Sequence, residues 1–143
     1  MLKGIPAILN PDMLKILMEM GHGDEIVIAD GNFPAAGIAK RLVRTDGNGA
    51  GDVLDAILKF FPLDQYVTLP AGLMSVVPGD TITPTIWNAY REIIRRYEPG
   101  FTDFEMIERF DFYERAKKSY AVIATGETAQ YANIILIKGV VRA

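Results

Sequence analysis

The segment that most constrains the fold is the apolar run Ile-Val-Ile-Ala at residues 26–29. It is short, rich in β-branched residues and apolar at both odd and even positions, so a strand formed here has no face suited to water. Such a strand belongs in a sheet that helices cover on both faces. Residues 120–124 and 134–137 are apolar runs of the same kind. The chain must therefore bury several strands on both faces.

Segments with helical signals alternate with these strands. Asn10 and Pro11 are typical of a helix start, and Gly21 ends the apolar spacing that follows. Further helices are predicted over residues 52–61, 84–97 and 111–118, and further strands over residues 42–44, 67–77 (interrupted at Pro70 and Gly72) and 104–107. The alternation predicts an α/β fold, with residues 1–143 forming one layered α/β/α domain around a mostly parallel or mixed sheet.

The residue content excludes several classes of chemistry. The chain has no cysteine and one histidine, which excludes disulfides, thiolate nucleophiles and a His-rich metal site within one subunit. Its net charge of −3, with dispersed basic residues, gives no electrostatic footprint for nucleic acid. No apolar run approaches the roughly 20 residues that span a membrane, and residues 1–11 lack a signal-peptide pattern. We therefore expect a cytoplasmic protein without nucleic-acid or membrane partners.

Two polar residues flank the strand at residues 26–29. His22 lies on the helix-to-strand turn, and imidazole exchanges protons near neutral pH. It is either a proton-transfer residue or a histidine that only interacts with the dipole of the preceding helix. Asp30 directly follows the strand, at the edge where open α/β sheets bind ligands. The alternative is that its carboxylate only stabilises the following turn.

Three other side chains allow both a structural and a functional interpretation. Asp64 lies in a predicted turn and alone would be a turn residue. Arg109 has several acidic neighbours, so it either forms an ion pair or orients a hydroxyl group of a substrate. Tyr113 would ordinarily pack in the core, but its phenol could serve as a hydrogen-bond donor in a pocket.

Tyr131 and Asn133 are separated by one residue, so in an extended backbone both side chains point to the same side. An aromatic ring beside an amide suits a sugar, because the ring stacks on C–H groups and the amide binds hydroxyls.

The three glycines at residues 45–51 suggest a phosphate-binding loop. The spacing does not match the nucleotide-binding fingerprints, and a turn with a helix cap is the favoured interpretation.

Several blocks of the sequence together resemble the fucose mutarotase branch of the fucose mutarotase/D-ribose pyranase family. The blocks are MGHGDEIV at 20–27, AD at 29–30, NFPA at 32–35, PLDQY at 62–66, IERFDFYERAKK at 107–118, ATGE at 124–127, YANI at 131–134 and KGV at 138–140. They occur in order and cover nearly the whole chain.

This resemblance implies an α/β fold, interconversion of the anomers of L-fucose, and an extension of that activity to the pyranose and furanose forms of D-ribose. It also implies a homo-oligomer, a decamer of two pentameric rings, with sites at subunit contacts. By position, His22 corresponds to the proton-transfer residue and Tyr113 to its phenolic partner. The positions that correspond to sugar contacts are Asp30, Asp64, Met74, Arg109, Tyr131 and Asn133.

Two departures from the family pattern leave the preference between fucose and ribose open. Asn32 stands where some fucose mutarotases have histidine, and Ala132 stands where glycine is usual. The predicted reaction needs only proton transfers, so we expect no cofactor. The alternative function is a non-catalytic monosaccharide-binding or sugar-transport-associated protein with the same pocket.

Overall fold

Helices and strands alternate along the chain in the computed structural model, which describes residues 1–143. The elements are α1 (Pro11–Glu19), β1 (Glu25–Ala29), α2 (Ala35–Ile38), β2 (Leu42–Thr45), α3 (Ala50–Leu58), β3 (Ala71–Met74), α4 (Ile86–Tyr97), β4 (Glu105–Ile107), α5 (Arg109–Lys118), β5 (Ala121–Thr125) and β6 (Ile134–Ile137). This alternation confirms the predicted α/β fold. None of the helices has the length and apolar content that crossing a bilayer requires.

The strands form one mixed sheet in the order β2-β5-β1-β6-β3-β4. Five of them run in the same direction, while β6 is antiparallel to its neighbours β1 and β3. The carboxyl ends of the five parallel strands therefore share one edge of the sheet with the start of β6. This edge is where open α/β sheets generally bind ligands.

Both faces of the sheet are covered because strand residues alternate between the faces. Ile26 and Ile28 belong to the larger apolar cluster, which includes residues of α1, α3 and α4. Val27 and Ala29 belong to a second cluster with residues of α2 and α5. All four side chains are fully buried. Burial on both sides explains why β1 is apolar at every position from Ile26 to Ala29.

The strand predicted over residues 67–77 is wrong in its extent, because only Ala71–Met74 is extended into the sheet. Proline has no N–H for the ladder, and Pro70 immediately precedes the first residue of β3. The helix predicted over residues 111–118 begins earlier, at Arg109, because the Glu108 carboxylate caps it by accepting from the N–H groups of Phe110 and Asp111.

Candidate active site

The carboxyl edge of the sheet carries an open pocket of about 380 Å³. The residues that line it come from the loop after β1, the end of β3 and the loop that follows it, α5, and the loop before β6. They are Asp30, Asn32, Phe33, Met74, Val77, Asp80, Arg109, Tyr113, Gln130, Tyr131 and Asn133. The pocket therefore brings together all the sequence-predicted site residues except His22 and Asp64.

Asp30 is the most buried carboxylate of this pocket. Its side chain accepts a hydrogen bond from the Asn32 N–H at 3.0 Å, and its own N–H donates to the Asn133 amide oxygen at 2.7 Å. Burial raises the pKa of Asp30, and hydrogen bonds from backbone N–H groups oppose this rise only in part. The carboxylate is thus held rigidly and with little water, a state in which it binds hydroxyl donors strongly.

Arg109 and Tyr113 lie on the first turns of α5. Arg109 Nε donates to the Tyr113 hydroxyl at 3.3 Å, and the Tyr113 ring packs on Phe33 with the centroids 5.6 Å apart. The ion pair considered for Arg109 does not form, because Glu105 binds Arg115 instead and the other acidic neighbours form no salt bridge with it. The guanidinium and the phenol therefore remain available to a ligand.

Tyr131 differs from the sequence-based expectation in its backbone. Its φ is 58°, a left-handed conformation that no other non-glycine residue of the chain adopts. Strand alternation is therefore not the reason that Tyr131 and Asn133 both line the pocket. The Tyr131 hydroxyl donates to Asp80 Oδ2 at 2.6 Å. This bond raises the pKa of Tyr131 and lowers the pKa of Asp80.

Asp80 is a pocket residue that the sequence analysis missed. It lies in a Pro-Gly-Asp turn at residues 78–80, where an aspartate needs no functional explanation. Its partner Tyr131 lies 51 positions away. No local pattern signals a contact over that separation, so only the fold could reveal it.

His22 and Asp64 form a separate pair. His22 Nε2 lies 3.0 Å from Asp64 Oδ1, which also accepts from the Tyr66 N–H at 3.0 Å. Burial would raise the pKa of Asp64, but these hydrogen bonds and the attraction of the imidazole lower it. Because an ionised carboxylate only accepts hydrogen bonds, Nε2 carries a proton and Nδ1 is the nitrogen available to a substrate. The His22 side chain is 45% exposed.

The His22–Asp64 pair lies at the opposite edge of the sheet from the pocket. β1 separates them, with His22 before its first residue and Asp30 after its last. Five residues of rise from Glu25 to Asp30 correspond to about 16 Å. Gly139 allows the backbone to pass close to Leu63, next to Asp64, because a Cβ at position 139 would overlap the Leu63 carbonyl oxygen. These two half-sites, the His22–Asp64 pair and the pocket, therefore lie too far apart in one chain to contact the same monosaccharide.

The glycine-rich stretch at residues 45–51 has a structural role. Gly49 is the N-cap of α3, and the N–H of Ala50 in its first turn donates to Glu127 Oε2 at 3.2 Å. A carboxylate of the chain itself therefore occupies the position where a phosphate-binding loop holds its anion. No group of three or more His, Asp or Glu side chains is arranged to hold a metal ion.

Comparison with known proteins gives matches along nearly the whole chain. The model of the RbsD / FucU transport protein family matches residues 3–141. Fucose mutarotase of Homo sapiens is 51% identical over 145 residues, 97% of this chain and 94% of its own.

Two solved structures are similar as well. The fucose mutarotase of Streptococcus pneumoniae in complex with L-fucose has a TM-score of 0.94 and 53% identity, and the match covers 99% of this chain and 100% of that one. Bacillus subtilis RbsD complexed with D-ribose has a TM-score of 0.70 and 26% identity, covering 94% and 95%. The fold and the residues of this chain are thus similar to those of proteins solved with bound monosaccharides.

Proposed function

Because this chain belongs to the RbsD / FucU transport protein family, we propose that it interconverts the α and β anomers of L-fucose through opening of the sugar ring. The observation that carries this function is the pocket at the carboxyl edge, which combines a desolvated carboxylate, a guanidinium, an amide and two phenols. These groups recognise the hydroxyls and the C–H face of a monosaccharide. The similar fucose mutarotases support L-fucose as the sugar.

Proton transfer alone accomplishes this reaction. The anomeric hydroxyl loses its proton, the bond between the anomeric carbon and the ring oxygen breaks, and the ring oxygen gains a proton to give the open-chain aldehyde. Rotation of the aldehyde and closure on its other face give the second anomer. No electrons leave the sugar, so the isomerase needs no cofactor. A positioned acid–base group contributes about 10²–10⁴-fold to such a step.

We assign the proton transfer to His22, with Tyr113 as its phenolic partner. Asp64 orients the imidazole, and its Oδ2 remains free for a sugar hydroxyl. In the pocket, Asp30 and Asn133 bind hydroxyls and Arg109 fixes the orientation of the sugar. The remaining two sugar contacts, Tyr131 and Met74, form the wall of the pocket.

The separation of the two half-sites supports an active site shared between subunits. We propose that His22 and Asp64 of one chain complete the pocket of its neighbour in a ring-shaped homo-oligomer, a decamer of two pentameric rings. Exposed aromatic rings lie beside both half-sites, and exposed apolar groups of this kind are common on surfaces that bind another chain. Tyr66 is 68% exposed beside His22, and Phe110 is 65% exposed beside Tyr113. The absence of cysteine agrees with a cytoplasmic location.

Magnetisation-transfer NMR tests the function directly, because it measures anomer exchange at equilibrium. We expect the protein to accelerate exchange of L-fucose more than exchange between the forms of D-ribose, with both sugars assayed side by side. His22→Ala should lose most of the acceleration while it still binds L-fucose. Binding of L-fucose by the parent protein without faster exchange would favour the non-catalytic sugar-binding alternative.

A further inference from the structure

We propose that Trp87 and Tyr90 of α4 are positioning residues, which hold Tyr131 and Asn133 in the pocket. They do so from the face of the sheet opposite to the one that α5 covers. The kinetic part of this inference rests on the proposed function, whereas the structural part does not. Neither Trp87 nor Tyr90 lines the pocket, and neither belongs to the blocks that carry the family resemblance.

The backbone of Tyr131 shows that something must hold this loop. The backbone of a residue with a side chain is strained at φ 58°. Such a conformation persists only where contacts with the surrounding structure hold it in place. Residues 131–133 also precede β6, so the sheet ladder does not fix them. The restraint must therefore come from side chains or from other loops.

Two donors from consecutive turns of α4 supply this restraint. Trp87 Nε1 donates to the Tyr131 carbonyl oxygen at 2.7 Å, and the Tyr90 hydroxyl donates to the Ala132 carbonyl oxygen at 2.6 Å. Tyr90 is fully buried, and burial raises its pKa far above its usual value, so its hydroxyl remains a donor at every working pH. Two consecutive carbonyls are therefore turned toward α4.

The orientation of these carbonyls determines what the other side of the loop presents. With both carbonyls bonded to α4, the Tyr131 ring faces the pocket and its hydroxyl reaches Asp80. The buried Asn133 amide oxygen accepts the Asp30 N–H at 2.7 Å. A continuous set of hydrogen bonds thus runs from α4 through the loop to Asp30. Loss of an α4 donor should loosen sugar contacts without touching the groups that transfer protons.

The test compares Trp87→Phe and Tyr90→Phe with the control Ile94→Val. Each phenylalanine variant retains an aromatic ring and removes one donor. Ile94 is fully buried on α4 one turn after Tyr90, so the control weakens the same helix without removing a hydrogen bond. The first readout is hydrogen exchange of the Asp30 N–H, corrected for global stability, and the second is KM and kcat for anomer exchange.

We expect Tyr90→Phe to accelerate exchange of the Asp30 N–H and to raise KM roughly tenfold, with kcat within about twofold of the parent. Trp87→Phe should act in the same direction. Ile94→Val should lower the melting temperature but leave both readouts unchanged. Parental values in both phenylalanine variants, or equal changes in the control, would overturn the inference. If the parent protein does not catalyse exchange, the proposed function fails, and the Asp30 N–H still decides the positioning role.

Discussion

If two chains share each active site, two inactive variants should restore activity when they assemble together. His22→Asn disables the half-site at the amino-terminal end of β1, whereas Tyr113→Phe disables the pocket at the opposite edge of the sheet. Each variant leaves the other half-site intact. A mixed ring then contains contacts at which an intact His22 meets an intact pocket.

The structure determines the size of the expected recovery. The half-sites lie about 16 Å apart along β1, so in the proposed oligomer each complete site takes one half from each of two chains. In random assemblies from equal amounts, each half is intact with a probability of one half, and about a quarter of the sites are complete. Loss of an acid–base group alone costs about 10²–10⁴-fold. The mixed assembly should therefore exceed either variant by roughly 25-fold or more.

Co-expression with two different affinity tags gives the mixed assembly, and the L-fucose exchange assay gives its activity. The matched control combines His22→Asn with Asp64→Asn. Both substitutions fall in the same half-site, so no intact copy of that half exists and no activity should return. If the first mixture contains both chains and remains as inactive as its components, the shared-site proposal is wrong.

Two further predictions concern the pocket. Because burial raises the pKa of Asp30 above the ordinary 3.8, the folded state loses stability as the pH rises through the raised pKa. Asp30→Asn should therefore raise the melting temperature at neutral pH by roughly 2–5 °C while it lowers kcat/KM. Calorimetry between about pH 4 and 8 measures the change in melting temperature. A lower melting temperature at neutral pH would contradict this prediction. Asp80→Ala and Tyr131→Phe should each lower kcat/KM by roughly 3- to 10-fold. The double variant should be no less active than the less active of the two single variants, because Asp80 acts through the Tyr131 hydroxyl. Additive losses of activity in the NMR assay would show that Asp80 acts independently.

The fold could be predicted where the residue pattern is compatible with only one arrangement of strands and helices. A strand that is apolar at every position, as in Ile26, Val27, Ile28 and Ala29, has to be covered on both faces, and helices between the strands provide the cover. The boundaries of β3 could not be predicted in this way. Val67, Val76 and Val77 have strand-forming side chains, but they lie outside β3 because the chain departs from the ladder on both sides.

The site could be predicted only in part, for two physical reasons. The carboxyl-edge rule places Asp30 correctly, because it depends only on strand direction. Whether Arg109 is free to bind a ligand depends on which carboxylates form ion pairs with other side chains. Glu105 forms its ion pair with Arg115 only in the folded chain. The left-handed backbone of Tyr131 likewise depends on bonds from α4 that the residues around position 131 do not signal.

The rigidity of both half-sites supports the proposal that assembly, rather than a conformational change, completes the active site. The Gly23 and Asp64 N–H groups donate to the carbonyl oxygens of Lys138 and Ile137 at the end of β6, which holds the His22–Asp64 pair in place. At the opposite edge of the sheet, the Asp30 N–H after β1 donates to the Asn133 amide oxygen before β6. To bring His22 to the pocket of its own chain, the molecule would have to break the β1–β6 ladder. A monomeric variant should therefore keep the sugar contacts of the pocket but lose the Asp64 contact and proton transfer by His22. L-fucose would still bind, although less tightly, while anomer exchange falls toward the rate in water.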